Sequence, residues 1–233
     1  MRIAIVSDIH SNLQALEQAL RVINRLRVDE IHCLGDIVGY GGSPNECVNL
    51  IRKYCTKVVR GNHDLATVDL SHSAFHPDEA KVVNSWTLRT LTDDNRRYLA
   101  WLPFKQTEND YTLVHAGPKS PTDWEHLHSL KAVAEQFRHF STPVCFIGHT
   151  HIPFVLGEDL WSNTFTGKMK FLINVGSVGQ PRDRNPRLSF GIFDNEAWTY
   201  ENVRSDYDIG GAIDAITRAR LPSTVGRRLL KGE

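Results

Sequence analysis

The first residues of the chain, MRIAIVSDIHSN (1–12), decide how the rest is interpreted. The apolar run IAIVS predicts a buried β-strand, and Asp8 and His10 follow where that strand ends. Ser11 or Asn12 is expected to cap a helix, because small polar side chains accept hydrogen bonds from the first backbone N–H groups of a helix. That helix is amphipathic, with apolar residues at spacings of three and four: Leu13, Leu16, Leu20, Ile23 and Leu26.

Four further polar motifs follow apolar runs in the same way. They are Gly35-Asp36 after IHCL, Gly61-Asn62-His63-Asp64 after KVVR, His115-Ala116-Gly117 after TLV, and Gly148-His149-Thr150-His151 after CFI. Open α/β sheets bind ligands at the carboxyl ends of their strands, so we expect the motifs to cluster at one edge of a sheet. Five of the 11 histidines lie within these motifs, which makes chance placement the weaker interpretation.

The residue types in these motifs suit a metal centre. Carboxylate, imidazole and amide side chains form a borderline-hard ligand set that favours divalent Mn, Fe, Ni or Zn. Asp8 and His10 can chelate one ion, and Asp36 can bridge two ions with one oxygen on each. His63 can project over such a site, with Asp64 holding its ring in one tautomer. The pattern therefore predicts a site for two metal ions.

The length and the element pattern predict a single α/β domain over residues 1–233. An initial β-α-β repeat implies a mainly parallel sheet. Residues 66–106 differ, because helical spacing recurs at 77–90 and 93–101, and we interpret this segment as a helical insertion or cap beside the site. Residues 206–233 are expected to form a helical tail. The later runs favour antiparallel strands: 152–156, 170–175, 188–193 and 198–203.

The composition limits the class of protein. Lys plus Arg and Asp plus Glu both number 27, so the chain has no bulk basic charge of the kind that marks an extended nucleic-acid-binding surface. The four cysteines form no Cys-x-x-Cys pair and are expected to be buried, reduced thiols. No run of 18 or more apolar residues occurs, and the chain opens on a strand. We therefore expect a cytoplasmic protein without a membrane segment.

The ordered motifs D-x-H, G-D, G-N-H-D, H-A-G and G-H-T-H, over residues 8–151, resemble the signature of the calcineurin-like metallophosphoesterase superfamily. The later loop NVGSVGQPR (174–182) resembles one in its small prokaryotic phosphodiesterase branch. The resemblance implies an α/β fold, a four-layered α/β/β/α sandwich of two mixed sheets flanked by helices. It also implies two ligand sets: Asp8, His10, Asp36 and His151 for one ion, and Asp36, Asn62, His115 and His149 for the other.

The activity implied by the resemblance is that of a dinuclear metal-dependent phosphoesterase, with Mn as the leading metal and Fe, Zn or Ni as alternatives. A metal-bound hydroxide would attack a phosphodiester, and His63 would donate a proton or stabilise the transition state. Arg182 is a candidate clamp for phosphate oxygens, against the alternative of an ordinary surface residue. The expected partner is a small phosphate ester, a class that includes nucleotides.

Other functions stay open at this point. The same centre would serve a phosphomonoesterase, including a protein phosphatase, or a dinucleoside polyphosphate hydrolase, and the pocket rim formed by residues 66–106 is expected to decide among them. A non-catalytic scaffold is disfavoured, because every expected ligand position and His63 are filled. The remaining histidines are expected to be structural or exposed: His32, His72, His76, His126, His128 and His139.

Overall fold

The computed structural model describes residues 1–75, 77–166 and 168–233. Its strands are β1 (Arg2–Val6), β2 (Glu30–Cys33), β3 (Lys57–Val58), β4 (Lys105–Thr107), β5 (Tyr111–Val114), β6 (Val144–Ile147), β7 (Phe154–Gly157), β8 (Phe171–Asn174), β9 (Leu188–Asp194) and β10 (Thr199–Ser205). Its helices are α1 (Leu13–Leu26), α2 (Pro44–Tyr54), α3 (Asn62–Val68), α4 (Asp78–Thr90), α5 (Asp93–Trp101), α6 (Leu130–Gln136), α7 (Ile209–Arg218) and α8 (Ser223–Leu229), and a 3₁₀ turn spans Leu70–Phe75. In the described ranges, none of these helices has the length and apolar character needed to cross a membrane.

The strands form two five-stranded mixed sheets. The first has the order β10-β9-β1-β2-β3, with β1, β2 and β3 parallel and β9 antiparallel to both of its neighbours. The second has the order β4-β5-β6-β8-β7, with β5, β6 and β8 parallel and antiparallel strands at both edges. The expectation of antiparallel pairing for all the later runs is corrected at β8. Because β7 reverses the chain at the sheet edge, β8 returns beside β6 in the same direction.

The two sheets pack face to face, and helices cover their outer faces. In β1, Ile3 and Ile5 belong to the core between the sheets, together with Phe146 and Phe171 of the second sheet. Alternate residues of the same strand face the other way, into a core shared with α1, α2 and α5. Helix α6 packs on the outer face of the second sheet. The four-layered α/β/β/α sandwich is therefore confirmed, and burial on both faces explains the unbroken apolar run of β1.

Helix α1 begins as the sequence predicts. The side-chain Oδ1 of Asn12 accepts a hydrogen bond from the backbone N–H of Ala15 at 3.1 Å, which identifies Asn12 as the N-cap. The buried side of the helix carries Ala15, Leu16, Ala19 and Ile23. This cap fixes the loop that joins β1 to α1, and that loop carries His10.

Helices α4 and α5 confirm the helical spacing at 77–90 and 93–101. Strand β4 begins at Lys105 and pairs with β5, so the last two residues of the segment 66–106 belong to the second sheet. Helices α7 and α8 form within the expected tail and pack against α4, where Val83 and Val225 share one apolar cluster. Arg228 also contacts Glu79 of α4 at 3.1 Å. The C-terminal helices therefore support the helical segment that lies beside the strand ends.

The cysteines are free thiols, as expected from their spacing. Cys33, Cys47 and Cys145 are buried, and Cys55 is partly exposed. Burial raises the pKa of the Cys55 thiol to about 12 and raises those of the other three as well. Their role is to pack the core as small apolar residues.

His32 of β2 is a buried structural histidine that is expected to make the stability of the protein depend on pH. Its ring is fully buried, with Nε2 at 2.9 Å from the Tyr111 hydroxyl and Nδ1 at 3.2 Å from Thr56 Oγ1. Burial lowers its pKa to about 4, against a smaller opposing effect of Glu30. The ring is therefore neutral in the folded protein at neutral pH.

We predict that His32 lowers the free energy of unfolding in mild acid. Its pKa lies below the unfolded value of about 6.5, so its contribution is intact above that pH and is lost as the pH falls toward the folded value. Between about pH 7.5 and pH 5 the loss is about 2 kcal/mol in the free energy of unfolding. Urea unfolding of wild type and His32→Gln at both pH values measures it.

The expected result is a pH dependence about 2 kcal/mol smaller in His32→Gln than in wild type. His128→Gln is the matched control, because the His128 ring is exposed and its replacement is expected to leave the dependence unchanged. An equal pH dependence in wild type and His32→Gln would contradict the assignment.

Candidate metal centre

The loops that follow the strands of both sheets meet at one place. Asp8 N donates to Gly35 O at 3.0 Å, which joins the loops after β1 and β2. Gly148 N donates to His115 O at 2.9 Å, which joins the loops after β5 and β6. The two sheets are connected by His149 N, which donates to Asp8 Oδ2 at 3.0 Å. Backbone contacts therefore bring the predicted motifs together, as expected for strand ends.

The first group of side chains consists of Asp8, His10 and His151, all almost fully buried. His151 Nε2 lies 3.2 Å from Asp8 Oδ1, and His10 Nε2 lies 3.8 Å from the same oxygen. The two imidazole Nε2 atoms are 3.2 Å apart. Three potential ligand atoms thus converge on one point.

A second group surrounds His115. Its Nε2 lies 3.3 Å from Asp36 Oδ2, 3.2 Å from Asn62 Oδ1 and 3.2 Å from His149 Nδ1. Asp36 Oδ2 also lies 3.7 Å from His10 Nε2, so this carboxylate stands between the two groups. The structure therefore brings the side chains of all seven predicted ligand residues together at the strand ends.

Each of the four imidazoles is held by a backbone carbonyl through its second ring nitrogen. Because a carbonyl only accepts hydrogen bonds, the nitrogen beside it carries the proton, and in a neutral ring the other nitrogen offers a lone pair. The pairs are His10 Nδ1 with Val38 O, His115 Nδ1 with Leu34 O, His149 Nε2 with Trp124 O, and His151 Nδ1 with Gln180 O. His149 thus presents Nδ1 to the site, whereas the other three present Nε2.

The first group fits a divalent cation. Burial lowers the pKa of His10 to about 3 and also lowers that of His151, so both rings are neutral and face each other with lone pairs at 3.2 Å. Two nitrogens that share one ion at about 2.1 Å lie about 3.0 to 3.4 Å apart. Asp8 Oδ1 is buried and has no hydrogen-bond partner among the described residues. A cation would satisfy all three atoms.

The second group also favours positive charge. Burial by itself would lower the pKa of His115, but Asp36 and then Asp8 raise it to about 9. Burial would raise the pKa of Asp36, yet His115 and His63 hold it well below its usual range. A proton on His115 occupies a position that a metal ion could take instead. The donor set of nitrogen and oxygen atoms, without a thiolate, suits divalent transition ions.

Five of the seven predicted ligand residues have strained backbones. Their φ angles lie in the left-handed region, which residues other than glycine rarely adopt: Asp8 at 54°, His10 at 51°, Asp36 at 51°, His149 at 64° and His151 at 61°. Such strain costs energy and is concentrated at functional sites. The sequence carries no signal for it, because aspartate and histidine are compatible with many backbone conformations.

Asp64 is fully buried beside the loop after β2. Its carboxylate accepts backbone hydrogen bonds from Ile37 at 2.8 Å, Val38 at 3.2 Å and Gly61 at 3.0 Å, so it holds the loop after β2. The expectation was that it orients the His63 ring. Asp64 lies in the first turn of α3, and its side chain points back toward the N-terminal end of that helix.

The ring of His63 is almost fully buried and lies 5.0 Å from the ring of His10. Its Nδ1 lies 3.2 Å from the side-chain Oδ1 of Asn84 in α4. Sequence analysis missed Asn84, because it is 21 residues from His63 and belongs to no motif. Only the packing of α4 against α3 reveals the contact.

A cleft of about 600 Å³ opens above the two groups. Arg182 lines it, with its Nη2 donating to Gln180 Oε1 at 2.8 Å and its guanidinium 5.8 Å from the ring of Tyr40. Tyr40 and Trp124 also line the cleft and were missed by sequence analysis. Neither aromatic side chain lies in a recognisable metal motif.

Two histidines that were expected to be structural or exposed lie in this cleft. His72 lines it from the 3₁₀ turn, and the ring of His126 stacks on that of His149 at 4.0 Å. The loop before α6 folds back over the strand ends, which is why His126 reaches the site. His76 lies outside the described residues. His72 and His126 are exposed, as expected, and so is His128, whereas His32 is buried and His139 is half-buried.

The chain is similar to known proteins along most of its length. A sequence model of the calcineurin-like phosphoesterase superfamily domain matches residues 1–197. An uncharacterized protein of Methanocaldococcus jannaschii is 40% identical over 240 residues, covering 99% of this chain and 98% of that protein. A symmetrical bis(5'-nucleosyl)-tetraphosphatase of Mannheimia succiniciproducens is 24% identical over 187 residues, covering 75% of this chain and 66% of that protein.

The fold agrees with the sequence match. A crystal structure of a metallophosphoesterase from Sphaerobacter thermophilus has a TM-score of 0.89 and 37% identity, and the match covers 100% of both chains. Together with the geometry of the buried aspartates and histidines, these matches establish the family and the type of reaction. The chain belongs to the calcineurin-like phosphoesterase superfamily and is a metal-dependent phosphoric ester hydrolase.

Proposed function

We propose that this hydrolase cleaves a phosphodiester at a dinuclear metal centre. The observation that carries the proposal is the position of the Asp36 carboxylate between two groups of imidazoles, 3.7 Å from His10 Nε2 and 3.3 Å from His115 Nε2. A carboxylate so placed can serve both ions. The proposed ligand sets are Asp8, His10, Asp36 and His151, and Asp36, Asn62, His115 and His149.

Mn is the leading metal in this proposal, with Fe, Zn and Ni as alternatives that suit the same nitrogen and oxygen donors. When bound, two such ions lower the pKa of a shared water toward neutrality and neutralise charge on the phosphate oxygens. The protein places both groups in a buried setting, where electrostatic interactions are stronger than in water.

His63 is proposed to donate a proton to the leaving oxygen. Its ring lines the cleft and lies next to His10, at the boundary between the ligands and the open space. Its backbone N–H donates to Asp36 Oδ1 at 2.8 Å, which fixes the start of α3 relative to the shared carboxylate. Asp64 is proposed to support the site indirectly, because its carboxylate holds the loop after β2 that carries Asp36.

Arg182 is proposed to bind an oxygen of the substrate phosphate. Of the described residues that line the cleft, it alone is a lysine or arginine. A single guanidinium matches the single negative charge of a phosphodiester better than the double charge of a monoester. Its hydrogen bond to Gln180 holds the side chain at the cleft wall.

The second candidate is hydrolysis of a dinucleoside polyphosphate. One relative, 24% identical over 75% of this chain, is named a bis(5'-nucleosyl)-tetraphosphatase. The cleft also offers Tyr40 and Trp124 as aromatic surfaces for a base.

We propose that residues 66–106 act as a cap within the single domain 1–233 and select the leaving group, since His72 and Pro77 line the cleft. The free thiols support a cytoplasmic location.

Metal-stripped protein reloaded with Mn tests the function on matched aryl phosphodiester and phosphomonoester substrates. We expect diester cleavage to dominate. His63→Ala is expected to keep its metal and to lose turnover of a diester with an alkoxide leaving group by about 10² to 10⁴, because a positioned proton donor contributes that much. Asp36→Asn is expected to lose both metal and turnover, because the shared carboxylate is weakened. Elemental analysis of each variant gives the metal content.

Each alternative has its own outcome in this experiment. Dominant monoester cleavage would replace the proposal with a phosphatase, and no turnover with two ions bound would indicate a scaffold. One ion per chain at full activity would contradict the dinuclear centre. Undiminished turnover of His63→Ala would remove its proposed role.

Removal of the Arg182 guanidinium is expected to weaken substrate binding. Arg182→Gln should raise the KM for the diester roughly tenfold to a hundredfold, the loss of one charge-assisted hydrogen bond of about 1.5 to 3 kcal/mol. Arg184→Gln is the control, because Arg184 is exposed and lies only two residues away. Equal KM values for the two variants would contradict the assignment.

Gly148 allows the chain to approach the ligands closely. A Cβ atom at this position would lie 2.0 Å from Ser7 Oγ and 2.4 Å from Asp8 Oδ2. Gly148→Ala is therefore expected to displace Asp8 and lower metal retention during dialysis by about tenfold, since supporting contacts contribute 10- to 100-fold to metal affinity. Elemental analysis after dialysis measures the effect.

Gly210→Ala is the matched control for this substitution. A Cβ atom there would meet only Asp208 Oδ1 at 3.5 Å, an ordinary contact in helix α7. This variant is expected to keep its metal and its stability, because alanine suits a helix better than glycine. Full metal retention by Gly148→Ala would show that the loop relaxes around the added methyl group.

A further inference from the structure

A buried side-chain amide from helix α4 lies beside the ring of His63. Asn84 of α4 is fully buried, and its Oδ1 lies 3.2 Å from His63 Nδ1. Its Nδ2 donates to Ser73 Oγ at 3.0 Å, so the amide is anchored on the side away from the imidazole. Ser73 is itself buried, in the 3₁₀ turn that precedes α4. The three side chains form a short hydrogen-bonded chain into the cleft.

We propose that Asn84 is a positioning residue for His63 in the hydrolytic reaction, an inference that rests on the proposed proton-donor role of His63. Oδ1 of the amide accepts the hydrogen on Nδ1, and the proton given to the substrate is then carried by Nε2. In the transfer, the Nε2–H bond breaks and an O–H bond forms on the leaving oxygen as its bond to phosphorus breaks. The ring therefore gives up this proton from its imidazolium form and is left neutral, with the remaining hydrogen on Nδ1 and still donated to Asn84 Oδ1.

The surroundings of His63 leave the ring little freedom. The ring of Tyr40 lies 4.7 Å away and that of His10 lies 5.0 Å away. A Cβ atom at Gly39 would lie 2.7 Å from His63 Nδ1, and Gly39 has a φ of 95°, so backbone passes directly against the ring edge. Asn84 lies beside the same ring and supplies a hydrogen-bond acceptor for its Nδ1. Packing sets the plane of the ring, and the amide selects the nitrogen that holds the proton.

A neutral partner suits the charges of this site. Three carboxylates are already buried at the site: Asp8 and Asp36 of the proposed ligand sets, and Asp64. Burial and the charge of Asp36 raise the pKa of Asp64 to about 7. A further carboxylate at position 84 would add to this like-charge repulsion. An amide accepts the same hydrogen bond without adding a charge.

The position of Asn84 depends on elements far from the strand ends. Glu79, one turn earlier in α4, contacts Arg228 of α8 at 3.1 Å, and Thr224 of the same helix donates a hydrogen bond to Glu79. Val83 packs in the apolar cluster that includes residues of α7 and α8. The C-terminal helices therefore hold the helix that carries the amide.

The test uses two phosphodiesters that differ in their leaving group, 4-nitrophenolate and an alkoxide. A good leaving group needs no proton, so loss of the oriented donor should matter only for the alkoxide. Asn84→Leu is expected to lower kcat about tenfold or more for the alkyl diester and less than about threefold for the 4-nitrophenyl diester, with KM unchanged. Asn84→Asp keeps the acceptor oxygen and is expected to keep the wild-type ratio of the two rates, while its added charge is expected to lower the melting temperature.

Asn95→Leu is the matched control. Asn95 is another buried amide, in α5, and its Nδ2 donates to Asn45 Oδ1 at 3.0 Å. Its replacement is expected to lower the melting temperature about as much as Asn84→Leu does, without changing the ratio of rates for the two substrates. A wild-type ratio in Asn84→Leu, or the same altered ratio in Asn95→Leu, would overturn the proposal.

Two further measurements separate this proposal from the proposed function. In a His63→Ala background, Asn84→Leu is expected to have no additional effect on the ratio; an additive effect would overturn the proposal. Nitrogen-15 NMR of the His63 ring reads the tautomer without turnover, and we expect a hydrogen on Nδ1 in wild type that Asn84→Leu no longer fixes. Unchanged ring signals in Asn84→Leu would overturn the assignment even if no diester is cleaved. Failure of the proposed function shows instead as unaltered turnover in His63→Ala.

Discussion

Hydrogen bonds from imidazoles to backbone carbonyls are the interaction on which this site depends. Each of the four predicted histidine ligands donates a hydrogen bond from one ring nitrogen to a backbone carbonyl, that of Leu34, Val38, Trp124 or Gln180. The bond fixes the ring and leaves the other nitrogen directed into the site. Each carbonyl comes from a different loop from the histidine it holds. The bond of His115 to Leu34 joins the two sheets, so this ring is oriented only when both sheets are folded and packed.

This arrangement is costly, and the rest of the fold offsets the cost. The left-handed backbones of the ligand residues cost about 1 to 3 kcal/mol each when no other contact supports them. The core between the sheets contains fully buried side chains such as Ile3, Ile5, Phe146 and Phe171. Each of these contributes about 1.5 to 3 kcal/mol by burial. A rigid two-sheet core therefore supports strained loops at its edge, where bound cations would also relieve repulsion among the aspartates.

The wall of the cleft and the predicted metal ligands come from different parts of the chain. The ligands come from strand ends, whereas the cleft wall comes from the segment between α3 and β4 and from the loop before α6. Tyr40 connects the two parts, because its ring contacts His10 and His63 and also packs in the apolar cluster of α4, α7 and α8. Changes in the cap or in the C-terminal helices can thus alter the cleft while the ligand groups stay in place.

The sequence by itself determined the strands other than β4, the helices α1, α4 and α5, and the motif residues after the strands, because these follow from local periodicity and from short fixed spacings. Tertiary structure alone decided the direction of β8, the partner of His63, the backbone contacts of Asp64 and the presence of His126 in the cleft. These features join residues that are distant in the chain, and no local pattern encodes which distant partner a polar side chain meets. A candidate ligand can be recognised in the sequence by its residue type and its position after a strand. A residue proposed to orient another side chain, such as Asn84, cannot, because its contact forms only when its helix packs beside the site.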